Sequence, residues 1–207
     1  MDATRSAQKR EHILERALEV FVAHGYVGTT TDQLAAAASV SKQTLYKEFG
    51  DKEGVFAALI QFACDHVDDP FAPLIEQMHS IDSADVAVDL MAMQFTRSIM
   101  SPYVQQLRRL VIAEATRFPH LGQLYWEEGF MRVVNSVARC LTILEERNLL
   151  DVPDARLAAH HFAGMLLWIP SNQTMFAVST PLEEPELTEA ITAGSRAFLR
   201  AYRVKDT

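Results

Sequence analysis

Apolar residues in this 207-residue chain recur at three- and four-residue intervals along nearly its whole length, and no segment sustains the polar–apolar alternation of a strand. That period restricts the chain to helices packed on helices. A first helix carries Ile13, Leu14, Ala17, Leu18, Phe21 and Val22 on one face and is closed by Gly25. Thr30 or Thr31 can cap a second, through Leu34 to Ala38; Ser41 can cap a short third that ends near Phe49. Gly50-Asp51 separates it from a fourth, expected from about Lys52 to Val67 and left irregular at its end by Pro73 after Asp69-Pro70. Further helices are expected at 84–100, 104–117, 120–148, 155–178 and 184–203, punctuated by Pro102, Pro119, Pro153, Pro181 and Pro185. Pro170 should kink the penultimate helix or end it early. The expected architecture is all-α with about nine helices: a small N-terminal module, residues 1–52, and a larger C-terminal bundle, residues 53–207.

A hydrophobic content of 49% can fill a sizeable core. No basic stretch followed by an apolar run suggests a secretory leader. The most apolar stretch, Phe162 to Val178, contains Gly164, Pro170, Ser171, Asn172 and Gln173, too short and polar for a membrane span. Two cysteines, Cys64 and Cys140, suit a reducing compartment. A cytoplasmic protein is expected, with no membrane partner. The net charge of −8 argues against a polyanionic partner, but it is unevenly spread. Residues 1–55 hold 7 Lys/Arg against 8 Asp/Glu, a balance of −1, whereas the remainder holds 12 against 19, a balance of −7. Asp65, Asp68, Asp69, Asp82, Asp85 and Asp89 cluster just beyond the N-terminal module and suit a solvated face.

Thr29 to Phe56 reads TTTDQLAAAASVSKQTLYKEFGDKEGVF, the pattern of a helix-turn-helix followed by the start of a further helix. Such a motif needs a small residue where its helices cross, an apolar residue in the turn and apolar residues seating the second helix; Ala35, Val40, Leu45 and Phe49 meet those needs. Lys42, Gln43, Thr44 and Lys47 then fall on the outer face of the short third helix, whose N-terminal half would enter a major groove. The run GYVGTTTDQLAAAASVSKQTLYKEFGDKEGVF resembles the N-terminal domain of the TetR/AcrR family of bacterial transcriptional repressors, over about residues 8–60. The resemblance implies base-facing roles for Thr31, Lys42 and Gln43, and phosphate-facing roles for Thr30, Thr44, Tyr46, Lys47 and Lys52. Two positions depart from the family pattern. Ser39 stands where the turn is usually Gly, so a left-handed backbone would be strained there, and Glu48 stands where His is common and would repel phosphate.

The resemblance also implies a C-terminal domain that dimerises and binds a small ligand. Ala155 to Ile169 is apolar nearly all round, with His160, Gly164, Leu167 and Trp168 on one side and Phe162, Met165, Leu166 and Ile169 on the other; such a helix needs cover from its own core and from a partner. The last helix carries a small-residue stripe of Ala190, Ala193, Gly194 and Ala197 beside Leu187, Ile191 and Phe198. A homodimer interface is therefore expected at His161, Met165, Trp168, Ala190, Ile191, Gly194, Ala197 and Phe198. Met91, Phe95, Ile99, Leu107, Val111, Phe130, Val134 and Trp168 are candidates for an adaptable apolar ligand cavity, although stripes of this kind also make plain core. Arg97, Arg108, Glu114 and Asn135 suit either surface ion pairs or a polar ligand head.

Cys64, His66, Asp68 and Asp69 are close in sequence but do not share a helix face as a set, and His160 and His161 point to different sides of their helix. No metal-ligand spacing, nucleophile elbow or phosphate loop is present, so neither an enzyme nor a cofactor is expected. The expected function is a homodimeric, ligand-responsive repressor on a near-palindromic double-stranded DNA operator, with a small apolar or amphipathic effector. The alternative is a helical small-molecule binding or sequestering protein with weakened or no DNA binding.

Overall fold

The computed structural model describes residues 2–66, 71–176 and 184–204, with side chains from Ser6 onward and excluding that of His66. Val67, Asp68, Asp69, Pro70, Val178 and Pro181, which entered the sequence reading, lie outside the described residues. Among the described residues there is no strand, and an isolated bridge joins Leu150 to Arg203. Contacts divide the chain into two compact units, Met1–Val67 with Gln106–Gly129, and Asp68–Gln105 with Phe130–Thr207.

The first unit begins with α1 (Asp2–Gly28), broken at Gly25, whose φ of 66° carries the chain out of the helix. The Thr29 hydroxyl donates to the Gly25 carbonyl at 2.7 Å and is itself buried, closing this corner. Helices α2 (Thr31–Ala37), α3 (Lys42–Phe49) and α4 (Lys52–His66) follow. Ile13, Leu14, Ala17, Leu18 and Phe21 of α1 are buried as expected, with Leu34, Leu45, Val55, Phe56 and Leu59 from the other helices. Val22 is not: it is 39% exposed, because one further position carries the apolar stripe past the buried edge, and Tyr26 takes the place in the core instead. Phe21, Tyr26 and Phe56 meet with ring centroids 5.3–5.8 Å apart. Residues from 106 onward in α7 (Pro102–Glu114), α8 (Pro119–Leu124) and the start of a π-helical segment (Tyr125–Met131) belong to this unit, where Phe118 packs edge-on to Tyr26 at 5.0 Å.

The second unit contains α5 (Ala72–Met78), α6 (Ala84–Ile99), the first turn of α7, α9 (Arg132–Glu146), α10 (Ala155–Met175) and α11 (Glu184–Tyr202). Helix α5 replaces the irregular end expected around Pro73. Proline lacks an N–H that a first turn would leave unpaired, so Pro73 opens a new helix whose Leu74, Ile75 and Met78 are buried. The single helix expected over 120–148 is instead α8, the π-helical segment and α9. Pro170 does not end α10, which continues to Met175 with Pro170 buried inside it. Phe71, Phe95, Phe162 and Phe198 form a chain of ring contacts through the core, each neighbour 5.1–6.3 Å from the next. Arg147 ties α9 to the segment after α5, donating to the carbonyls of Met78 (2.7 Å) and Ile81 and to Asp82 (2.8 Å). No described helix is long and apolar enough to cross a membrane.

Candidate nucleic-acid interface

The geometry of α2 and α3 follows from their caps. Thr30 makes a reciprocal pair with Gln33: its side chain accepts from the Gln33 backbone N–H at 3.2 Å while the Gln33 side-chain oxygen Oε1 accepts from the Thr30 N–H at 2.8 Å. Thr30, not Thr31, is thus the cap. Ser41 accepts from the Thr44 N–H at 3.0 Å, and the Ser41 and Thr44 hydroxyls lie 2.9 Å apart. Between the helices Ser39 adopts φ 55°, the left-handed turn that glycine would take without strain. Gly50, at φ 81°, ends α3, and Asp51 caps the next helix by accepting from the Gly54 N–H at 2.8 Å.

This turn is so tight that a Cβ on Gly54 would stand 1.9 Å from the Phe49 carbonyl oxygen. Gly54 has one signal in the sequence, a glycine in the first turn of a helix just after a tight loop, which helical periodicity does not register. Arg10 secures the other side of α3, donating to the Glu48 carbonyl at 2.9 Å and lying 4.4 Å from the centre of the Phe49 ring.

Held in this way, α3 buries Leu45 and turns Lys42, Gln43, Tyr46 and Lys47 to solvent, while Thr44 and Glu48 are half-buried. Lys42 is engaged by Asp32 of α2 at 2.9 Å, and this hydrogen bond raises its pKa. Asp32 was not among the residues singled out from sequence, because its partner lies ten positions away across the turn. Thr31 is half-buried beside it in the first turn of α2. Lys52 is placed differently from a free phosphate ligand. Its ammonium donates to the carbonyls of Tyr26 and Thr29, both at 2.8 Å, and sits 4.4 Å from the Tyr26 ring centre. Burial lowers its pKa, assisted by the nearby Arg117 and opposed by Glu114. Burial, then Glu53, raises the pKa of Tyr26.

A family model described as "Bacterial regulatory proteins, tetR family" matches residues 13–59, spanning all of α2 and α3. A second, described as "AefR-like transcriptional repressor, C-terminal domain", matches residues 88–204, more than half the chain. The chain belongs to the TetR family of transcriptional regulators.

This TetR-family regulator resembles a crystallised family member from Mesorhizobium loti MAFF303099 at 36% identity and a TM-score of 0.90, covering 97% of this chain and 99% of that one. It resembles the Flavonoid-responsive Regulator FrrA at 26% identity and a TM-score of 0.75, covering 97% and 100%. The repressor AcnR of Corynebacterium glutamicum is 40% identical over 55 residues, 27% of this chain and 29% of that protein, so the likeness spans under a third of that relative. The all-α reading with an N-terminal helix-turn-helix is the architecture of these structures.

Of the residues expected to line a ligand cavity, Met91, Phe95, Ile99 and Val134 are buried together in the second unit's core, with Phe130 packed against it. Leu107 and Val111 are buried too, but belong to the first unit. Trp168 lines no interior surface: it is 70% exposed. The expected two sides of α10 are also redrawn. Ala158, Ala159, Phe162, Ala163, Leu166, Leu167 and Pro170 face inward, while His160, His161, Gly164, Met165, Trp168 and Ile169 face out. Residues three and four apart share a helical face, so Leu167 joins Ala163 inside and Met165 and Ile169 join Trp168 outside.

On α11 three expected interface residues are instead core. Ile191 and Phe198 are buried in the chain's own apolar cluster, and a Cβ on Gly194 would meet Leu166 at 2.5 Å. The small residue at 194 serves the close approach of α11 to α10 within one chain. Ala197 is exposed and Ala190 half-buried. His161 Nδ1 lies 2.6 Å from the Tyr202 hydroxyl. Arg97 forms an exposed ion pair with Glu184 at 3.3 Å. Tyr125, which the sequence pattern did not mark, is half-buried, and burial pushes its pKa up to about 12, with Arg108 opposing and Cys64 adding.

Proposed function

We propose that this chain is a homodimeric, effector-responsive repressor that places α3 of each protomer in successive major grooves of a near-palindromic operator, about 34–36 Å apart. The observation that carries the reading is the doubly capped α3, with Lys42, Gln43, Tyr46 and Lys47 on one solvent face. In this reading Thr31, Lys42 and Gln43 address bases, and Thr30, Thr44, Tyr46 and Lys47 address phosphates, with residues 1–52 as the DNA-binding part and 53–207 serving dimerisation and effector binding. The ammonium of Lys52 adds charge beside the backbone, but its two carbonyl bonds make it first a strut. Lys42 reaches the groove by exchanging Asp32 for a base edge. That exchange involves two exposed groups, whose pairing in water is weak.

The exposed apolar face of α10, formed by Met165, Trp168 and Ile169 around His161 and Gly164, supports the dimer, since a patch of that kind on a monomer calls for cover. Ala190 and Ala197 of α11 are its candidate companions. FrrA is named for its response to flavonoids, which supports an aromatic, amphipathic effector for this chain as well, at Met91, Phe95, Ile99, Phe130 and Val134. An effector shifts such a repressor only through its different affinities for the DNA-competent and DNA-incompetent states. Gel-shift titration of the DNA upstream of its own gene tests the reading. Lys42→Ala and Tyr46→Phe should each weaken binding, and unchanged affinity in both would overturn the assignment.

A second reading, a sequestering protein without DNA binding, is favoured by the engagement of Lys42 and Lys52 within the chain. A steep fall of DNA affinity with salt separates the two, because only phosphate contact releases counterions.

A further inference from the structure

Asp32 and Lys42 face each other across the turn between α2 and α3. The Lys42 ammonium lies 2.9 Å from one carboxylate oxygen of Asp32 and 3.0 Å from the other, and both side chains are open to solvent. Neither helix needs Asp32 for its cap. Thr30 and Gln33 already close the start of α2, and Ser41 closes that of α3. An exposed ion pair contributes little to folding. A carboxylate on a surface that meets DNA repels phosphate. A residue that opposes general DNA binding without stabilising the fold points to a use in recognition. Two features keep this carboxylate charged and well placed. It stands in the first turn of α2, where the helix dipole favours an anion. It also stands beside the first residue of α3, at the end of a recognition helix that reaches base edges.

We propose that Asp32 is a base-reading residue, and that Asp32 and Lys42 together recognise one guanine–cytosine pair in each half-site of the operator. When Lys42 turns to a base edge, the carboxylate it leaves needs another donor close by. A guanine–cytosine pair supplies both halves of that exchange in the major groove: guanine O6 and N7 accept from the ammonium, and the cytosine N4 amino group donates to Asp32. Within the base pair O6 and N4 are hydrogen-bonded to each other, so their separation matches the 2.9 Å between ammonium and carboxylate. A thymine–adenine pair also sets an acceptor beside a donor, but thymine O4 is a single acceptor flanked by a methyl group. Against phosphates alone the carboxylate finds no donor, so Asp32 also holds down binding to unrelated sequences. This inference rests on the DNA-binding reading given above and names the base pair that its recognition helix selects.

The test is selection of duplexes from a randomised library by the full-length protein, followed by anisotropy titration of the selected duplex and its single-pair variants. The wild-type chain should prefer guanine–cytosine at one position of each half-site by at least about tenfold. Asp32→Ala and Lys42→Met should each reduce that preference below about threefold at the same position and leave the other positions as they were. The double variant should reduce it no further, as expected of two residues that act as a unit. Both variants should melt with the wild type, since the pair is exposed. A duplex carrying N4-methylcytosine at that position separates base reading from a mere tether for Lys42, because it keeps its pairing and loses the N–H that faces the groove. The wild type should bind it at least about fivefold more weakly, and Asp32→Ala should bind it within about twofold of the unmodified duplex. An equal penalty in both proteins, an unchanged preference in Asp32→Ala, or selection of thymine–adenine at the shared position would overturn the proposal and leave DNA binding intact. Failure of the wild type to select any sequence would remove the DNA-binding reading and this inference with it.

Discussion

Replacing Lys52 by Met tests whether this lysine is a strut before it is a phosphate ligand. The substitution keeps the length and apolar stem of the side chain and removes the ammonium, leaving the Tyr26 and Thr29 carbonyls without their donor. Hydrogen bonds from a charged donor contribute about 1.5–3 kcal/mol each, and a cation over an aromatic face adds about 0.5–1 kcal/mol. Lys52 is only half-buried, so water recovers part of that interaction in the variant, and the expected net loss is about 2–3 kcal/mol. For a chain of this size that corresponds to a melting temperature lower by about 4–12 °C.

Urea denaturation followed by far-ultraviolet circular dichroism measures the loss. A pH series supplies a second signature. Burial lowers the Lys52 pKa in the folded state, so between that value and its ordinary 10.5 the unfolded chain binds more protons. Wild-type stability therefore gains a rising component with pH in that window, and the Met variant lacks it. If Lys52→Met changes stability by less than about 0.5 kcal/mol while the salt slope of DNA binding falls by about 0.9 per protomer, the strut is refuted and the lysine is a phosphate contact alone.

Three further outcomes are expected. Gly54→Ala should destabilise the N-terminal unit by more than about 3 kcal/mol, because its Cβ would fall 1.9 Å from the Phe49 carbonyl oxygen and only a backbone shift relieves that; wild-type-like denaturation would contradict it. Ser39→Gly should stabilise by roughly 0.5–1 kcal/mol, since φ is 55° there, and a fall in the melting midpoint would count against the strained turn. Tyr125 is held neutral by burial, its pKa raised from 10.0 to about 12, so its stabilising contribution is complete below pH 10 and is lost as pH rises through 12. Tyr125→Phe should remove the last phenolate step in an absorbance titration and lessen alkaline unfolding by about 2–3 kcal/mol; an unchanged final step would show that another tyrosine produces it.

Local chemistry made much of the helix-turn-helix legible. The caps at Thr30 and Ser41, the small Ala35, the apolar turn at Val40 and the seating residue Leu45 are all set within a few positions by hydrogen bonding and steric size. The left-handed turn at Ser39 was also readable, through the resemblance to a family that usually carries glycine there. Asp32 and Gly54 were not, because their significance lies in what the turn folds against them. Periodicity likewise marked α10 as apolar all round without telling which residues face inward, and it did not separate a dimer surface from the close internal approach of Gly194 to Leu166. Where each helix is covered depends on the rotation of its neighbours.

By itself, the sequence determined the all-α class, the order of the main helices and the placement of Lys42, Gln43 and Lys47 on the outward side of a short capped helix. Helical period, caps and breakers act over one or two turns, so they are written locally. Only the tertiary structure decided that Lys42 leans on Asp32, that Lys52 ties Tyr26 and Thr29, and that Ile191 and Phe198 are core. Each of these depends on atoms brought together from distant positions, where burial and hydrogen-bond supply are properties of the packed chain rather than of any segment.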